Sequence, residues 1–235
     1  MPTVETTPEE ASKGVRVVTN QLTTIKVNSP GLEILIGGPY RGQDGETHTY
    51  GHAALRVITP SGQRIYDFGR YGNVTGDFGA EGEGILRVWD SFDSYIAGEN
   101  SYRRATTGFL YDVSAEQAQQ INSHYDAIIA TGTPRRSKHP NEKEYKLRSN
   151  YHGLTNNCVT MTLGGARLAL PGLEENAAPN NKGRGMSSVE RMAARAKNLG
   201  SWPSQIFMPA DVKAMLESNP KQRPKKVTTY GGSPK

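Results

Sequence analysis

HAALRVITPSGQRIYDF, residues 52–68, is the stretch on which the fold turns. Two runs of β-branched and apolar residues flank Thr59, Pro60, Ser61 and Gly62, a set that favours a tight turn, so the segment reads as a β-hairpin. With the loop at Thr59–Gly62 and Ile58 opposite Gln63, His52 faces Gly69. Asp67 then lies on the same sheet face one diagonal step away, at about 7 to 8 Å between backbones. A slip of one residue would put the two side chains on opposite faces.

Similar short runs surround the hairpin: VRVVT, LTTIKV and LEILIGG before it, GILRVW and TTGFLYDV after it. Each is bounded by Gly, Pro, Asn or Asp and is expected as a strand. From Ser114 the apolar period lengthens. Ala118, Ile121, Tyr125 and Ile128 recur at helical spacing, Ser114 with Gln117 forms a capping box, and Gly132 is a stop signal. A polar stretch over 133–153 precedes LTNNCVTMTLGGARLAL (154–170), in which Asn156 or Asn157 can cap a helix beginning at Cys158. Two further helices are expected, in SSVERMAARAKNLG with Ser187 and Glu190 as a capping box, and in PADVKAMLE with Pro209 in the first turn. Strands come first and helices after, which predicts an α+β fold built on an antiparallel sheet.

The 235 residues carry a net charge of +5, which raises the question of nucleic acid. From Asn219 to Lys235 there are five basic residues and no acid, so the remaining 218 balance 23 basic against 23 acidic groups. The basicity belongs to the end of the chain, and no nucleic-acid partner is expected. The organisation expected is a polar leader over 1–14, one domain over 15–218 with a helical subdomain as an option over 171–218, and a basic disordered tail over 219–235. No apolar run approaches a membrane span and no basic and apolar signal opens the chain, so a protein without membrane insertion or a general secretory signal is expected.

Cys158 is the only cysteine, so no intramolecular disulfide can form. A thiol in the first turn of a helix lies at the positive end of the dipole, where the thiolate is favoured and nucleophilic. The other reading is a small buried hydrophobe, the commoner fate of free cysteine. A nucleophile needs a base, and of the five histidines His52 alone opens a strand, straight after the glycine-rich GGPYRGQDGETHTYG. His48 and His52 are four apart, but Gly51 and the following strand exclude a helix there. An extended chain would separate them by roughly 13 Å, too far for one zinc ion. Neither a metal nor any other cofactor is expected. Asp67 is the acidic candidate for orienting His52; pairing with Arg56 or Arg64 is the alternative.

YGHAALRV, IYDFG and NNCVTMTLGGA, in that order, resemble the circularly permuted branch of the NlpC-like papain-fold cysteine peptidases, whose histidine hairpin precedes the cysteine helix. His52 leads Cys158 by 106 residues. The resemblance spans roughly Thr47 to Leu170 and implies a permuted papain-like fold with catalytic Cys158, His52 and Asp67. It departs from the family in the hairpin, where the spacing from histidine to the third residue is longer. Many relatives are amidases or endopeptidases that cleave peptidoglycan stem peptides. Some are antibacterial effectors delivered by type VI secretion into the periplasm of a rival cell, which implies an immunity protein and a secretion component as partners. Others are lipid acyltransferases or phospholipases, which would bring a membrane-seeking segment not evident in this sequence. A non-catalytic binding module is the remaining alternative. The basic residues between Arg135 and Arg148 are expected either to attract an anionic stem peptide or to form a solvated loop.

Overall fold

The computed structural model describes residues 28–41, 47–76 and 80–232. The hairpin is its centre: strands β4 (His52–Thr59) and β5 (Gly62–Gly69) pair antiparallel with Ile58 opposite Gln63 and Ala54 opposite Asp67. On the β4 side follow β1 (Gly31–Gly37), β9 (Ala105–Asp112) and the edge strand β13 (Lys226–Gly231). On the β5 side follow β8 (Ile85–Trp89), β11 (Glu142–Lys146) and the opposite edge strand β10 (Thr133–Arg135). All seven pairings of this eight-stranded sheet are antiparallel. The fold is therefore α+β on an antiparallel sheet. The expected runs VRVVT and LTTIKV and the leader over 1–14 lie outside the described residues.

Both faces of the sheet are covered, which is why β1 is buried along its whole length and reads as a continuous apolar run. On one face Leu55, Val57, Tyr66 and Phe68 pack against helices α2 (Ala115–Ala130), α3 (Cys158–Ala166) and α6 (Pro209–Ser218). On the other, Leu35, Ala54, Ile65 and Trp89 meet Phe92 and Tyr95 of α1 (Phe92–Ser101). That first helix gives little signal in the sequence: it is short, contains Gly98, and buries only Phe92, Tyr95 and Glu99. The capping boxes at Ser114 and Ser187 form as read, and Pro209 opens α6.

One expectation is corrected and one open option is decided. The expected disordered tail from residue 219 is interrupted by a strand, because Lys226–Gly231 pairs with β9 and covers an edge that would otherwise expose a row of unpaired backbone groups; residues 233–235 lie outside the described residues. Tyr230 fixes this strand by donating to Glu33 at 2.7 Å and packing its ring 5.0 Å from Phe92. Composition averaged the short β run KVTTY into its basic surroundings. Nor do residues 171–218 have a core of their own: Leu173, Ile206, Val212, Met215 and Leu216 belong to the same cluster as the sheet.

Helix α3 approaches the sheet closely because Gly165 faces it. A Cβ there would lie 2.7 Å from the Tyr125 ring and 2.8 Å from Leu55, and Tyr125 is held by stacking on Tyr66 at 3.8 Å and by donating to the Met161 carbonyl at 2.9 Å. A Cβ on Gly164, one residue earlier, would meet nothing within 4 Å beyond its own helix backbone. Gly165→Ala is expected to destabilise the protein by about 1–3 kcal/mol through overpacking. Gly164→Ala should be neutral or stabilising by up to about 1 kcal/mol through helix propensity. Denaturant midpoints of the two variants measured side by side check this pair.

Candidate functional site

Cys158, His52 and Asp67 come together at the end of the sheet where β4 begins. By strand alternation His52 and Asp67 share the face of Ala54, which α1 covers, whereas Cys158 arrives on a helix packed on the other face. The groups meet at the very start of β4, where the chain is turned into the strand immediately before His52 by Gly51, with φ of +72°. Its own Cβ would lie 2.5 Å from the Gly37 carbonyl, so only glycine fits.

The start of α3 is tightly held. Asn157 caps it by accepting from the Thr160 N–H at 3.0 Å, while Thr160 Oγ1 accepts from the Asn157 N–H at 2.9 Å. The Asn157 amide also donates to the carbonyls of Gly153 at 2.5 Å and Phe207 at 3.0 Å. Cys158 therefore has a fixed seat in the first helical turn. It is buried, its sulfur hydrogen-bonds His52, and the sulfur accepts from the Ala53 N–H.

His52 Nε2 lies 2.5 Å from Asp67 Oδ1, leaving Nδ1 as the ring nitrogen for the sulfur. Burial alone would lower the pKa of His52, but the charge and hydrogen bond of Asp67, helped by Cys158, push it up to about 10. Burial would raise Cys158, yet the hydrogen bond and charge of His52 bring it below its ordinary value. Asp67 too would be raised by burial and is lowered instead by His52, then by Arg87 and Tyr71. The favoured state is a thiolate and an imidazolium backed by a carboxylate. The arginines proposed as alternative partners of Asp67 are engaged elsewhere, Arg56 with Glu33 at 2.8 Å and Arg64 with Asp126 at 2.8 Å.

Three neighbours escape a reading of the sequence. Tyr71, just past β5, donates to Asp67 at 2.8 Å and lies 3.4 Å from His52 Nε2. Arg87 on β8 stands opposite Asp67 in register, stacks on Tyr71 at 3.5 Å and bonds Glu144 at 3.0 Å. The hydroxyl of Tyr151, in β12 (Tyr151–His152), interacts with the side chain and the backbone N–H of Cys158. For Arg87 the strand pairing would have been the signal. Tyr71 and Tyr151 lie outside any linear pattern.

These groups open into a cleft of about 820 Å³. One wall is α1 with Tyr95 and Tyr102; the opposite wall includes Met186 and, on helix α5 (Ser188–Lys197), Glu190 and Ala194. Asp211, fully buried on α6, anchors the segment leading to α5 by accepting from the N–H groups of Lys182, Gly183 and Arg184 at 2.9, 2.6 and 3.2 Å. The basic stretch from Arg135 to Arg148 belongs to the far sheet edge, where Lys146 pairs with Glu83, and His139 is its one residue in the cleft lining. His48 stacks on Tyr40 at 4.5 Å, and among the described residues no cluster of His, Cys, Asp or Glu could hold a metal ion.

Comparison with family models, curated proteins and solved structures finds no significant match.

The shifts predict how the thiol reacts with pH. Because His52 holds Cys158 below its ordinary value and keeps its own proton until pH about 10, the ion pair forms at a lower pH than that at which an ordinary thiol ionises. Alkylation of native Cys158 by iodoacetamide should therefore set in at a lower pH than for an ordinary thiol and fall as acid returns the proton to the thiolate. His52→Ala should move the rise to alkaline pH, at or above that of an ordinary thiol, about 8.5, because burial then acts on the thiol without its main opponent. Asp67→Asn should shift it partway. Rate against pH for the three proteins is the measurement.

Proposed function

We propose that this protein is a cysteine amidase or endopeptidase of permuted papain-like, NlpC-like architecture, hydrolysing amide bonds in peptidoglycan stem peptides. One observation carries the reading: Cys158 at a helix start bonds His52, which bonds Asp67 at 2.5 Å, inside a cleft. Nucleophilic amide hydrolysis asks for these three groups in this order of contact. The chain order also supports the family reading, with the histidine strand and its partner strand ahead of the cysteine helix.

In the mechanism, the Cys158 thiolate attacks the amide carbonyl, forming the C–S bond and an oxyanion. The backbone N–H of Cys158, at the helix start, and the hydroxyl of Tyr151, which interacts with that N–H and with the sulfur, donate to that oxyanion. The C–N bond then breaks and the departing amine takes the proton of His52. Neutral His52 next accepts a proton from water, whose oxygen attacks the thioester and releases the acid and the thiolate. Asp67 positions the ring throughout. The resemblance adds the biological setting: an effector exported to the periplasm of a target cell and neutralised by an immunity protein.

Incubation of purified sacculi with the protein should release muropeptides whose masses identify the bond cut. Cys158→Ala should lower that release by at least about a thousandfold without altering the fold. Release unchanged in the variant would remove the mechanism. Tyr151→Phe should lower kcat by roughly 10²–10³-fold with little change in KM.

A second reading has one observation in its favour. Val189 and Met192 on the outer face of α5, with Leu199 just beyond it, are 63%, 71% and 98% exposed beside the cleft. Arg191 and Arg195 flank them, as suits an anionic interface. This is the apolar surface that a lipid acyltransferase or phospholipase would need, although among the described residues no helix is long and apolar enough to cross a membrane. Hydrolysed or transferred acyl chains after incubation with phospholipid vesicles, with intact sacculi, would decide for it.

A further inference from the structure

The cleft holds several cations, and their partners differ. Arg87 is bonded to Glu144 and covers Tyr71. Arg104 is clasped by both carboxylate oxygens of Glu99, at 2.8 and 3.1 Å. Lys197 bonds Glu81 at 3.0 Å. Arg70 is half-buried in the cleft lining and has no hydrogen-bond or ion-pair partner among the described residues. It follows Gly69 at the end of β5, and its charge is felt by Tyr151, the residue whose hydroxyl interacts with the Cys158 side chain.

We propose that Arg70 binds a carboxylate carried by the substrate next to the amide that Cys158 attacks, and so determines specificity for an anionic peptide. This inference rests on the hydrolase reading and names the substrate class for the same site. The physical need is clear from the charges. A carboxylate entering the cleft meets the Cys158 thiolate, and His52 is already committed to Asp67 and the sulfur. A further cation is required to offset that repulsion, and a half-buried guanidinium without a partner is poorly solvated until an anion arrives. The planar fork of arginine suits a carboxylate, to which it donates through two parallel N–H groups. The other cleft arginines are each already paired with a carboxylate, Arg87 with Glu144 and Arg104 with Glu99.

The test compares two alkylating reagents of nearly equal size, iodoacetate, which carries a carboxylate, and iodoacetamide, which is neutral. In Arg70→Gln the rate of Cys158 modification by iodoacetate should fall about threefold to tenfold, with iodoacetamide changed by less than about twofold. Arg70→Lys should recover most of the iodoacetate rate, and added salt should erase the difference between wild type and Arg70→Gln. A ratio of the two rates that is the same in wild type and Arg70→Gln overturns the proposal, as does an equal fall with both reagents. Wild-type Cys158 inert to iodoacetamide would instead remove the nucleophile, and the proposal with it. For substrate, Arg70→Gln should raise KM for muropeptides with a free carboxylate and leave amidated ones unaffected. Equal effects on both would count against the carboxylate.

Discussion

The antiparallel register of β4 and β5, with Ala54 opposite Asp67, is the constraint on which the rest depends. It sets the His52 ring and the Asp67 carboxylate on one face at bonding distance. A slip of one residue would send Asp67 into the apolar layer under α3 and leave His52 without a partner. Packing on both faces makes such a slip expensive, because Leu55, Val57, Tyr66 and Phe68 on one side and Ala54 and Ile65 on the other would exchange environments together. The two-residue connection Pro60–Ser61 allows no slack to absorb it.

The same packing explains how charged groups survive where water is largely excluded. Each ion in the row has its countercharge in contact: the thiolate has His52, the imidazolium has Asp67, and Asp67 also has Tyr71 and Arg87. Buried charges persist only when paired and hydrogen-bonded. Arg87 is held in turn by Glu144 on the next strand, so the sheet carries the electrostatic support outward by two strands. Asn157 supplies the mechanical counterpart, tying the start of α3 to Gly153 and Phe207 so that the sulfur cannot drift from the ring.

The two walls of the cleft are built differently. Helix α1 is seated on the sheet through Phe92 and Tyr95, whereas α5 buries only Ala194 and is fastened by polar contacts such as Tyr50 with Glu190 and Lys197 with Glu81. Glycines with positive φ stand at both of its approaches, Gly185 before and Gly200 after. The side of the site next to α5 is thus the less constrained by core packing, and the anchoring of Asp211 to residues 182–184 fixes where that freedom begins.

The sequence by itself determined the elements that follow from local rules. Alternation and turn chemistry sufficed for the hairpin, whose strand pairing matches the register supposed for it, and the capping residues Ser114 and Ser187 for two helix starts, whereas the choice of Asn157 over Asn156 as the cap of α3 came from the structure. Cys158, His52 and Asp67 were legible because each sits at a defined end or face of such an element. Tertiary structure alone decided that His52 and Cys158, which come from opposite faces of the sheet, meet at the start of β4. It alone brought Tyr71, Arg87 and Tyr151 to them, and turned the basic end of the chain into an edge strand. Period and capping are properties of neighbouring residues, whereas these contacts join segments far apart in the chain, and what selects them is the burial of two sheet faces and the pairing of a free edge.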